Sequence, residues 1–303
     1  MQNELRNKII RLFYNKLAKN RGTYIMREDW DNLVILDGCR FDVFEKLNYL
    51  DGKLEHRISR GSCTNEFLRE NFKGRKFNDT IYITANPLIN YHVAESFYEI
   101  ISVWKDGWHR EYGTVLPETM VKFSLRVIKE HPNKRLIIHF MQPHYPYIGE
   151  ESRKKIGSHE GILSIYLFQE KRSKRKHEHK EQLVWNLLKN KKIDEQTVWE
   201  AYEENLKIVL KYTKELTNIF KGKTVITSDH GNLFGKRLFP FFTKEYGHPC
   251  KVHTKDLIKI PWLIYEKGKR RKIKKSRFKH KEKLPEKEKK DIKKKLESLG
   301  YID

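Results

Sequence analysis

Cysteine is scarce in this chain of 303 residues, which contains only Cys39, Cys63 and Cys250. Three cysteines leave one unpaired in any disulfide scheme, which is more typical of a protein from a reducing compartment than of a secreted, disulfide-stabilised one. No two of them show the C-x-x-C spacing of common zinc sites, although zinc binding by all three stays open.

Long apolar runs are also missing. No stretch approaches the about 18 apolar residues that a membrane-spanning helix needs, and the N-terminus lacks the apolar segment of a signal peptide. The sequence has no RNA-recognition aromatic motif, no zinc-finger spacing and no clear helix-turn-helix pattern, so nucleic acid is not the favoured partner. We therefore expect a soluble, cytoplasmic protein.

Acidic residues are few relative to basic ones. The 40 Asp and Glu residues stand against 63 Lys and Arg residues, which gives a formal net charge of +23. Such a charge attracts nucleic acid, anionic membranes or anionic substrates, but it carries no information about the fold. The basic residues are concentrated in 171–192 and 267–295, and the second run predicts a solvated tail that is dispensable for folding.

The charge and hydropathy patterns divide the chain into three parts. Residues 1–25 contain a basic amphipathic helix, whose apolar stripe either packs on the protein or lies on a membrane surface. Residues 26–266 form the main domain, which a basic and weakly periodic insertion interrupts at 150–196. Residues 267–303 form the basic C-terminal tail.

Apolar strands alternate with helical patterns in the main domain. Continuous apolar runs predict buried strands within four segments, NLVILDGCR, TIYITANP, RLIIHFMQP and KTVITSDHG. Residues 117–130 and 198–220 have apolar residues at helical spacing. This alternation predicts an α/β fold with a mostly parallel central sheet and helices on both faces. Ligands of such sheets collect beyond the carboxyl ends of the strands.

Three of these strands lead into residues that suit a metal site. Asp37 ends the first strand, His144 follows the third, and Asp229 and His230 end the fourth. One carboxylate at a strand end is common in turns, but several strand ends that supply Asp and His to one rim are harder to explain by solvation. Such oxygen and imidazole donors suit Zn²⁺, Mn²⁺ or related ions. Thr64, in a Gly/Ser turn before a helical pattern, is a candidate N-cap.

Seven segments follow one another over most of residues 30–265: LVILDGCRFDVF, SRGSCTNEFLRENF, YITANP, MQPHYPY, YEENLKIVL, TVITSDHGN and GHPCKVHTKDLIKIPWLIY. In these segments the chain resembles the alkaline phosphatase-like superfamily, on its sulfatase-like, phosphotransferase-like side. The resemblance implies an alkaline phosphatase-like catalytic domain at 26–266.

The resemblance also implies a set of metal ligands. Asp37, Asp229 and His230 would bind one divalent ion, Zn²⁺ or Mn²⁺ in the first place, with Mg²⁺ and Ca²⁺ as alternatives. Thr64 would be the nucleophile and the fourth ligand. A threonine hydroxyl is a poor nucleophile until a metal lowers its pKa or a base takes its proton, which agrees with this assignment.

Further residues would act on the substrate. The resemblance implies that His253 and His144 contact the transferred group or protonate the leaving oxygen, for which the near-neutral pKa of imidazole is suited. His248 is a candidate for substrate binding. Arg40 either pairs with substrate oxygens or holds Asp42 beside the first ligand.

Three departures from the superfamily patterns narrow the function. SCTNEF stands where type I sulfatases have C-x-P-S-R or C-x-A-S-R, so Cys63 is interpreted as a neighbour of the nucleophile. PHYPY stands where two-metal relatives have Asp-x-x-x-His, which favours one ion, and LDGC has one acid where sulfatases usually have two. One metal with Thr and Asp-His resembles the phosphoglycerol and phosphoethanolamine transferases, which are normally membrane-anchored.

We therefore expect a metal-dependent hydrolase or transferase that acts on an ester through Thr64. A phosphate ester is the favoured substrate and a sulfate ester is the second choice. The basic surface favours an anionic phosphorylated or sulfated substrate, with a glycan among the candidates. The alternative from another class is a non-catalytic basic protein on the same fold that holds nucleic acid or an anionic polymer. Metal content, together with turnover of aryl phosphates and sulfates, distinguishes the two.

Overall fold

A computed structural model describes residues 2–17, 22–157 and 184–279 of the chain. The helices are α1 (Gln2–Leu17), α2 (Phe41–Leu47), α3 (Thr64–Phe72), α4 (Leu88–Val93), α5 (Val103–Asp106), α6 (Pro117–Glu130), α7 (Glu150–Ile156), α8 (Val184–Lys189), α9 (Glu195–Ile219) and α10 (Lys255–Ile258), with a short 3₁₀ helix at Ile25–Arg27. The strands are β1 (Asn32–Leu36), β2 (Lys53–Ile58), β3 (Phe77–Thr84), β4 (Phe97–Ser102), β5 (Trp108–His109), β6 (Thr114–Val115), β7 (Arg135–Phe140), β8 (Gly222–Thr227), β9 (Leu233–Leu238), β10 (Thr243–Gly247) and β11 (Lys259–Lys267).

Seven strands form the central sheet, in the order β2-β11-β8-β1-β7-β3-β4. Strands β8, β1, β7, β3 and β4 are parallel, whereas β11 is antiparallel to both of its neighbours. The four strands predicted from apolar runs are β1, β3, β7 and β8, and the two predicted helices correspond to α6 and α9. The predicted α/β fold with a mostly parallel central sheet is therefore confirmed.

Helices cover both faces of this sheet, because alternate residues of a buried strand point to opposite sides. Val34 and Leu36 of β1 belong to a core that includes side chains of α2, α6 and α9. Leu33 and Ile35 belong to a second core, which includes side chains of α3 and α4. Burial on both faces explains why β1 is apolar throughout.

Helix α1 packs on the main domain through one side only. Its Ile10 is buried in a small cluster with Leu233 and Leu238 of the β9-β10 hairpin, while Leu5 and Leu12 are exposed. Packing on the domain, one of the two arrangements expected for this helix, is thus present. None of the helices within the described ranges combines the length and the apolar character that a membrane crossing requires.

The basic insertion and the basic tail are only partly described. Helices α7, α8 and the start of α9 lie within the predicted insertion, while residues 158–183 and 280–303 lie outside the described residues. The described part of the tail contacts the domain. Backbone N–H groups of Lys274 and Ser276 donate to the carbonyls of Asn133 and Asn78, while most side chains of residues 267–279 are exposed to solvent.

Arg270 fixes this segment to the domain through two aspartates. Its guanidinium donates to Asp31, whose side chain is buried, at 2.5 Å and to Asp29 at 2.8 Å. The hydrogen bond from Arg270 lowers the pKa of Asp29 to about 2, against the opposing effect of burial. Asp31 also accepts from the backbone N–H of Lys223 at 2.8 Å, so Arg270 is not its sole donor.

We expect Arg270→Ala to lower the free energy of unfolding by about 1 to 3 kcal/mol, near the lower end because Arg270 is 46% exposed. A depressed carboxyl pKa adds stability above the unfolded value and loses it as the pH falls through the folded value. The deficit should therefore be full above about pH 4 and shrink toward pH 2. Urea denaturation at several pH values measures it. Lys272→Ala, which removes an exposed charge from the same segment, should cost almost nothing, and an equal loss in both variants would contradict the prediction.

Candidate metal centre and active site

The site lies where the carboxyl ends of β1, β7 and β8 meet the first turn of α3. Asp37 directly follows β1, His139 is the fifth residue of β7, and Asp229 and His230 follow β8. Thr64 is the first residue of α3. All five side chains are buried, so any charge on them is removed from bulk water.

His230 Nε2 is the point at which the predicted ligands converge. This atom lies 3.1 Å from Thr64 Oγ1. It lies 3.6 Å from Asp37 Oδ1 and 3.4 Å from Asp229 Oδ2. The structure thus brings together the four residues that the sequence predicted as metal ligands.

The tautomer of His230 follows from its other ring nitrogen. Nδ1 lies 2.7 Å from the carbonyl oxygen of Gly231, which can only accept, so Nδ1 carries the proton. Nε2 is then left with a lone pair, and the Thr64 hydroxyl donates to it. Backbone geometry thus holds an imidazole lone pair toward both the hydroxyl and the two carboxylates.

The two aspartates are held by neutral donors through one oxygen each. Asp229 Oδ1 accepts from the backbone N–H groups of Gly38 at 3.0 Å and His230 at 2.9 Å. Asp37 Oδ2 accepts from Asn86 Nδ2 at 3.1 Å. Asp229 Oδ2 is buried and has no hydrogen-bond partner among the described residues.

His139 belongs to the same cluster and was missed in the sequence. Its Nε2 is buried, lies 3.5 Å from Asp37 Oδ2, and makes no hydrogen bond within the described part of the chain. Its Nδ1 lies 2.8 Å from the hydroxyl of Tyr82. The signal was available, since a histidine interrupts the apolar strand RLIIHF.

This donor set fits a divalent cation. One ligand atom each from Asp37, His139 and Asp229 lie within 4.8 Å of one another, and His139 Nε2 and Asp229 Oδ2 make no hydrogen bond to any described residue. A buried polar atom without a partner costs free energy, which an ion held between these atoms would offset. Two carboxylates with imidazoles and a hydroxyl match the ligand preferences of Zn²⁺ or Mn²⁺.

The histidines also keep the first aspartate ionised. Burial alone would raise the pKa of Asp37, but His139, His144 and His230 outweigh it and hold this pKa well below its usual range. A carboxylate that stays charged in a buried site can bind a cation without first losing a proton.

The turn after β1 requires a glycine at Gly38. Its φ is +65°, and a Cβ there would lie 3.3 Å from His144 Cδ2 and 3.6 Å from His230 Cε1. Tyr202 of α9 supports this turn, because its hydroxyl donates to the Gly38 carbonyl and accepts from the Arg40 backbone N–H, both at 2.8 Å. The long helix thus fixes the loop that carries the first aspartate.

Thr64 does not cap α3, contrary to the alternative left open by the sequence. The N-cap is Cys63, whose sulfur accepts from the Glu66 backbone N–H. The Thr64 hydroxyl is therefore not used by its own helix and faces His230.

Cys63 and Cys250 form a disulfide, and Cys39 is free and buried. The expectation of reduced cysteines is therefore wrong. The two bonded residues are 187 positions apart in the sequence, so no local spacing could identify them as a pair. Because its sulfur is bonded to Cys250, Cys63 has no thiolate to offer as a nucleophile beside Thr64.

His144 and His248 form a pair next to the cluster. Their Nε2 atoms are 2.8 Å apart, and His144 Nδ1 lies 2.6 Å from the carbonyl of Tyr145. His144 Nδ1 therefore donates to that carbonyl, and His248 Nε2 donates to His144 Nε2. The His248 ring lies 4.4 Å from the ring of His230. Burial, with the neighbouring His230 and His144, holds the pKa of His248 well below its usual range.

Asn205 of α9 positions the loop that carries His144. Its Nδ2 lies 3.2 Å from each of three carbonyl oxygens, those of Pro143, His144 and Pro146. Its Oδ1 accepts from the Ile148 backbone N–H at 2.9 Å. One buried amide therefore fixes both ends of the turn from which His144 reaches the site.

His253 supports the helix of the nucleophile. Its Nε2 lies 2.7 Å from Glu66 Oε1, and Glu66 Oε2 accepts from the Ser62 backbone N–H at 3.0 Å. Burial raises the pKa of Glu66, but His253 and the backbone donors lower this pKa by a larger amount. The pKa of Glu66 therefore lies below its usual range. The structure thus places His253 against the first turn of α3.

Arg40 directs its donors at protein groups. It forms a two-point contact with Asp42, at 2.9 and 2.7 Å, and donates to Asp256 at 3.1 Å and to the carbonyl of Asn232 at 2.9 Å. Its guanidinium also lies over the ring of Trp199. These contacts favour the second of the two roles considered for Arg40, which is to hold the loops around the first aspartate.

A pocket of about 180 Å³ opens next to the nucleophile. Thr64 and His248 contribute to its wall, together with the Cys63–Cys250 disulfide and the aromatic side chains of Trp185 and Tyr246. Arg11 of α1 lines it as well, so the N-terminal helix takes part in shaping the space beside Thr64.

No protein-family model matches the chain, and no curated protein matches it. Solved structures do. The lipooligosaccharide phosphoethanolamine transferase A of Neisseria meningitidis, an integral membrane protein, is 12% identical with a TM-score of 0.45 over 78% of this chain, which spans about half (48%) of that protein. The C-terminal periplasmic domain of EcEptC from Escherichia coli, in complex with Zn, is 15% identical with a TM-score of 0.47, over 81% of this chain and 75% of that one. An alkaline phosphatase superfamily protein from Vibrio parahaemolyticus is 12% identical with a TM-score of 0.34, over 90% of this chain and 70% of that one.

The expected cytoplasmic location is contradicted. The similar solved structures include periplasmic domains of phosphoethanolamine transferases, from Campylobacter jejuni and Escherichia coli. The disulfide agrees with this correction, since such bonds persist in oxidising compartments and are rare in the cytosol. The location inferred from the sequence was wrong because it depended on the odd number of cysteines and on the lack of an apolar N-terminal segment.

The fold that the resemblance implied, an α/β domain with a mostly parallel central sheet, is present in the chain. The order of the motifs along the chain corresponds to a mostly parallel seven-stranded sheet, and the polar residues that end its strands meet at one rim.

Proposed function

We propose that the protein is a metal-dependent transferase or hydrolase of phosphate esters, with Thr64 as the nucleophile. One observation carries the proposal. The Thr64 hydroxyl lies at the N-terminus of a helix and within 3.1 Å of His230 Nε2, which also faces the carboxylates of Asp37 and Asp229. A threonine placed only for packing would not need two buried carboxylates and an imidazole lone pair around its hydroxyl.

Asp37, Asp229 and His230 would hold the cation, with Thr64 as a fourth ligand and His139 beside Asp37. A divalent cation bound there would lower the pKa of the Thr64 hydroxyl and neutralise charge on the phosphoryl oxygens. His139 would offer its Nε2 as a further ligand, since that atom makes no hydrogen bond among the described residues, and its ring is fixed through the Tyr82 hydroxyl.

The chain's own residues account for the bonds that form and break. Thr64 Oγ1, after losing its proton, attacks phosphorus, and the bond from phosphorus to the leaving alcohol oxygen breaks. The neutral His144–His248 pair takes up the proton that the Thr64 hydroxyl loses and gives it to that leaving oxygen, so the pair is neutral before and after the step. An alcohol acceptor or water then attacks the phosphothreonine and restores the Thr64 hydroxyl. The first backbone N–H groups of α3 favour the anionic phosphoryl group.

The pocket beside Thr64 supports an anionic substrate with an apolar or ring-shaped portion. Arg11 supplies positive charge to its wall, and Trp185 and Tyr246 supply two aromatic surfaces, with ring centres 5.9 Å apart. The net charge of +23 acts in the same direction over longer distances.

Metal content and turnover, measured on one preparation of the full chain, test the proposal. We expect about one divalent ion per chain, and hydrolysis of an aryl phosphate monoester or diester in preference to the matching aryl sulfate. A chelator should abolish this hydrolysis, and Zn²⁺ or Mn²⁺ should restore it. Stoichiometric metal without turnover of any ester would contradict the catalytic part. Tight, salt-sensitive binding of an anionic polymer with neither metal nor turnover would favour a binding protein.

A further inference from the structure

An exposed apolar surface lies outside the active site. It consists of three phenylalanines at the tip of the β9-β10 hairpin and three aliphatic residues of α1, and we call it the apolar platform. Its members are Phe239, Phe241, Phe242, Leu5, Ile9 and Leu12. Four of them are strongly exposed, at 44% for Phe241, 57% for Phe242, 60% for Leu5 and 53% for Leu12. A cluster of large exposed apolar side chains marks an interaction site.

The two halves of the platform form one surface. Phe13 of α1 packs against Phe239 of the hairpin, with ring centres 4.5 Å apart. Arg6 of α1 forms an ion pair with Glu245 of β10 at 3.1 Å. Helix and hairpin are therefore joined by an apolar and an ionic contact, and they present their exposed side chains together.

The hairpin tip keeps a phenylalanine where the backbone favours another residue. Phe242 has a φ of +50°, in the left-handed region that glycine and asparagine adopt most readily. Its backbone N–H closes the turn on the carbonyl of Leu238 at 2.7 Å. The aromatic ring contributes little to the interior, being more than half exposed, so the turn itself does not explain this residue.

Basic residues outnumber acidic ones in the two elements that carry the platform. Helix α1 contains four basic residues and one acidic residue, and the segment from β9 through β10 contains three basic and one acidic. Lys8 is exposed on α1, between Leu5 and Leu12. Apolar side chains within a basic rim match a bilayer interface, where rings enter the headgroup region while lysine and arginine meet anionic lipid phosphates.

We infer that the apolar platform is a docking surface for an anionic lipid bilayer. Phe241 and Phe242 enter the interface, α1 lies along it with Leu5 and Leu12 toward the acyl chains, and the basic residues contact the headgroups. The charge favours this occupant over a second copy of the chain, since two surfaces of the same positive sign repel each other.

Docking of this kind also orients the active site. Arg11 lies on α1, one residue before Leu12, and lines the pocket next to Thr64. Helix α1 therefore contributes both to the platform and to the wall of that pocket, so a chain docked through the platform holds the pocket next to a helix that touches the lipid surface. The inference goes beyond the proposed function and does not depend on it, because binding to lipid requires no turnover.

Co-sedimentation with vesicles tests the inference on the full chain. The wild type should bind vesicles of phosphatidylcholine with phosphatidylglycerol at least about tenfold more tightly than vesicles of phosphatidylcholine alone. Phe241→Ser combined with Phe242→Asn should weaken binding to the anionic vesicles by about tenfold or more. Asparagine accepts the backbone conformation at position 242, so this variant should fold as stably as the wild type.

Phe278→Ser is the matched control, since Phe278 is an exposed phenylalanine that follows β11 and lies near Lys76, outside the platform. It should bind vesicles as the wild type does. Equal binding by the double variant and the wild type would overturn the inference, because the attraction would then be electrostatic only. Concentration-dependent dimers that the double variant abolishes, without vesicle binding by the wild type, would assign the platform to a second copy and overturn it as well.

Discussion

Thr64→Ala is expected to lower kcat on a phosphate ester by about 10⁴-fold or more, because it removes the oxygen that attacks phosphorus in the proposed mechanism. The neighbouring Cys63 is bonded to Cys250, so its sulfur cannot take over. The fold should survive, since Cys63 rather than Thr64 caps α3 and only a hydroxyl and a methyl group are lost. We expect a cost of about 1 kcal/mol in the free energy of unfolding.

Two variants separate chemistry from packing in this experiment. Thr64→Ser keeps a hydroxyl at the same position and should retain measurable turnover. Thr213→Ala removes an equally buried threonine, whose hydroxyl donates to the Val209 carbonyl of its own helix, and should leave kcat unchanged. Turnover by Thr64→Ala near the wild-type rate would remove Thr64 from the mechanism, and a phosphorylated Thr64 trapped by rapid quenching would support it directly.

The centre of the sheet and three of the four predicted ligands were accessible from the sequence for one physical reason. Parallel strands must be apolar on both faces, so the polar residues at which they end stand out. Asp37, Asp229 and His230 follow such strands, and parallel strands present their carboxyl ends to one edge. Thr64 was found through the resemblance of its segment, because a threonine before a helix is by itself an ordinary residue.

Contacts between distant parts of the chain could not be predicted in this way. The Cys63–Cys250 bond joins residues 187 positions apart, and the pairing of His144 with His248 joins a loop after β7 to a loop after β10. Edge strand β2 was missed because its residues are mostly exposed or half-buried and show no continuous apolar run. His139 was missed for the opposite reason, since its strand was interpreted as wholly apolar.

Asp229→Asn is expected to abolish metal binding, from about one ion per chain to almost none. The amide keeps an oxygen to accept from the Gly38 and His230 N–H groups, so the turn after β8 should persist. The variant loses the negative charge that faces His230. In the wild type, the oxygen at this position, Asp229 Oδ2, makes no hydrogen bond to any described residue. Elemental analysis of the dialysed protein measures the change.

Asp31→Asn is the matched control for a buried carboxylate. Asp31 is as buried as Asp37, but its partners are Arg270 and the Lys223 backbone N–H at the opposite end of β1. This variant should lose about 1 to 3 kcal/mol of stability, because a charged hydrogen bond is weakened, and keep its metal. The two substitutions thus separate metal loss from the general cost of neutralising a buried aspartate.

Chelation should distinguish the two variants a second time. A cation present at roughly 100 to 1,000 times its dissociation constant adds about 3 to 4 kcal/mol to the free energy of unfolding, so a chelator should destabilise wild type and Asp31→Asn by that amount. Asp229→Asn should not respond. Without metal, it should be no less stable than wild type, because ligand atoms of Asp37 and Asp229 lie within 4.8 Å and their charges then repel each other. A chelator-dependent loss in Asp229→Asn that matches wild type would place the ion elsewhere in the molecule.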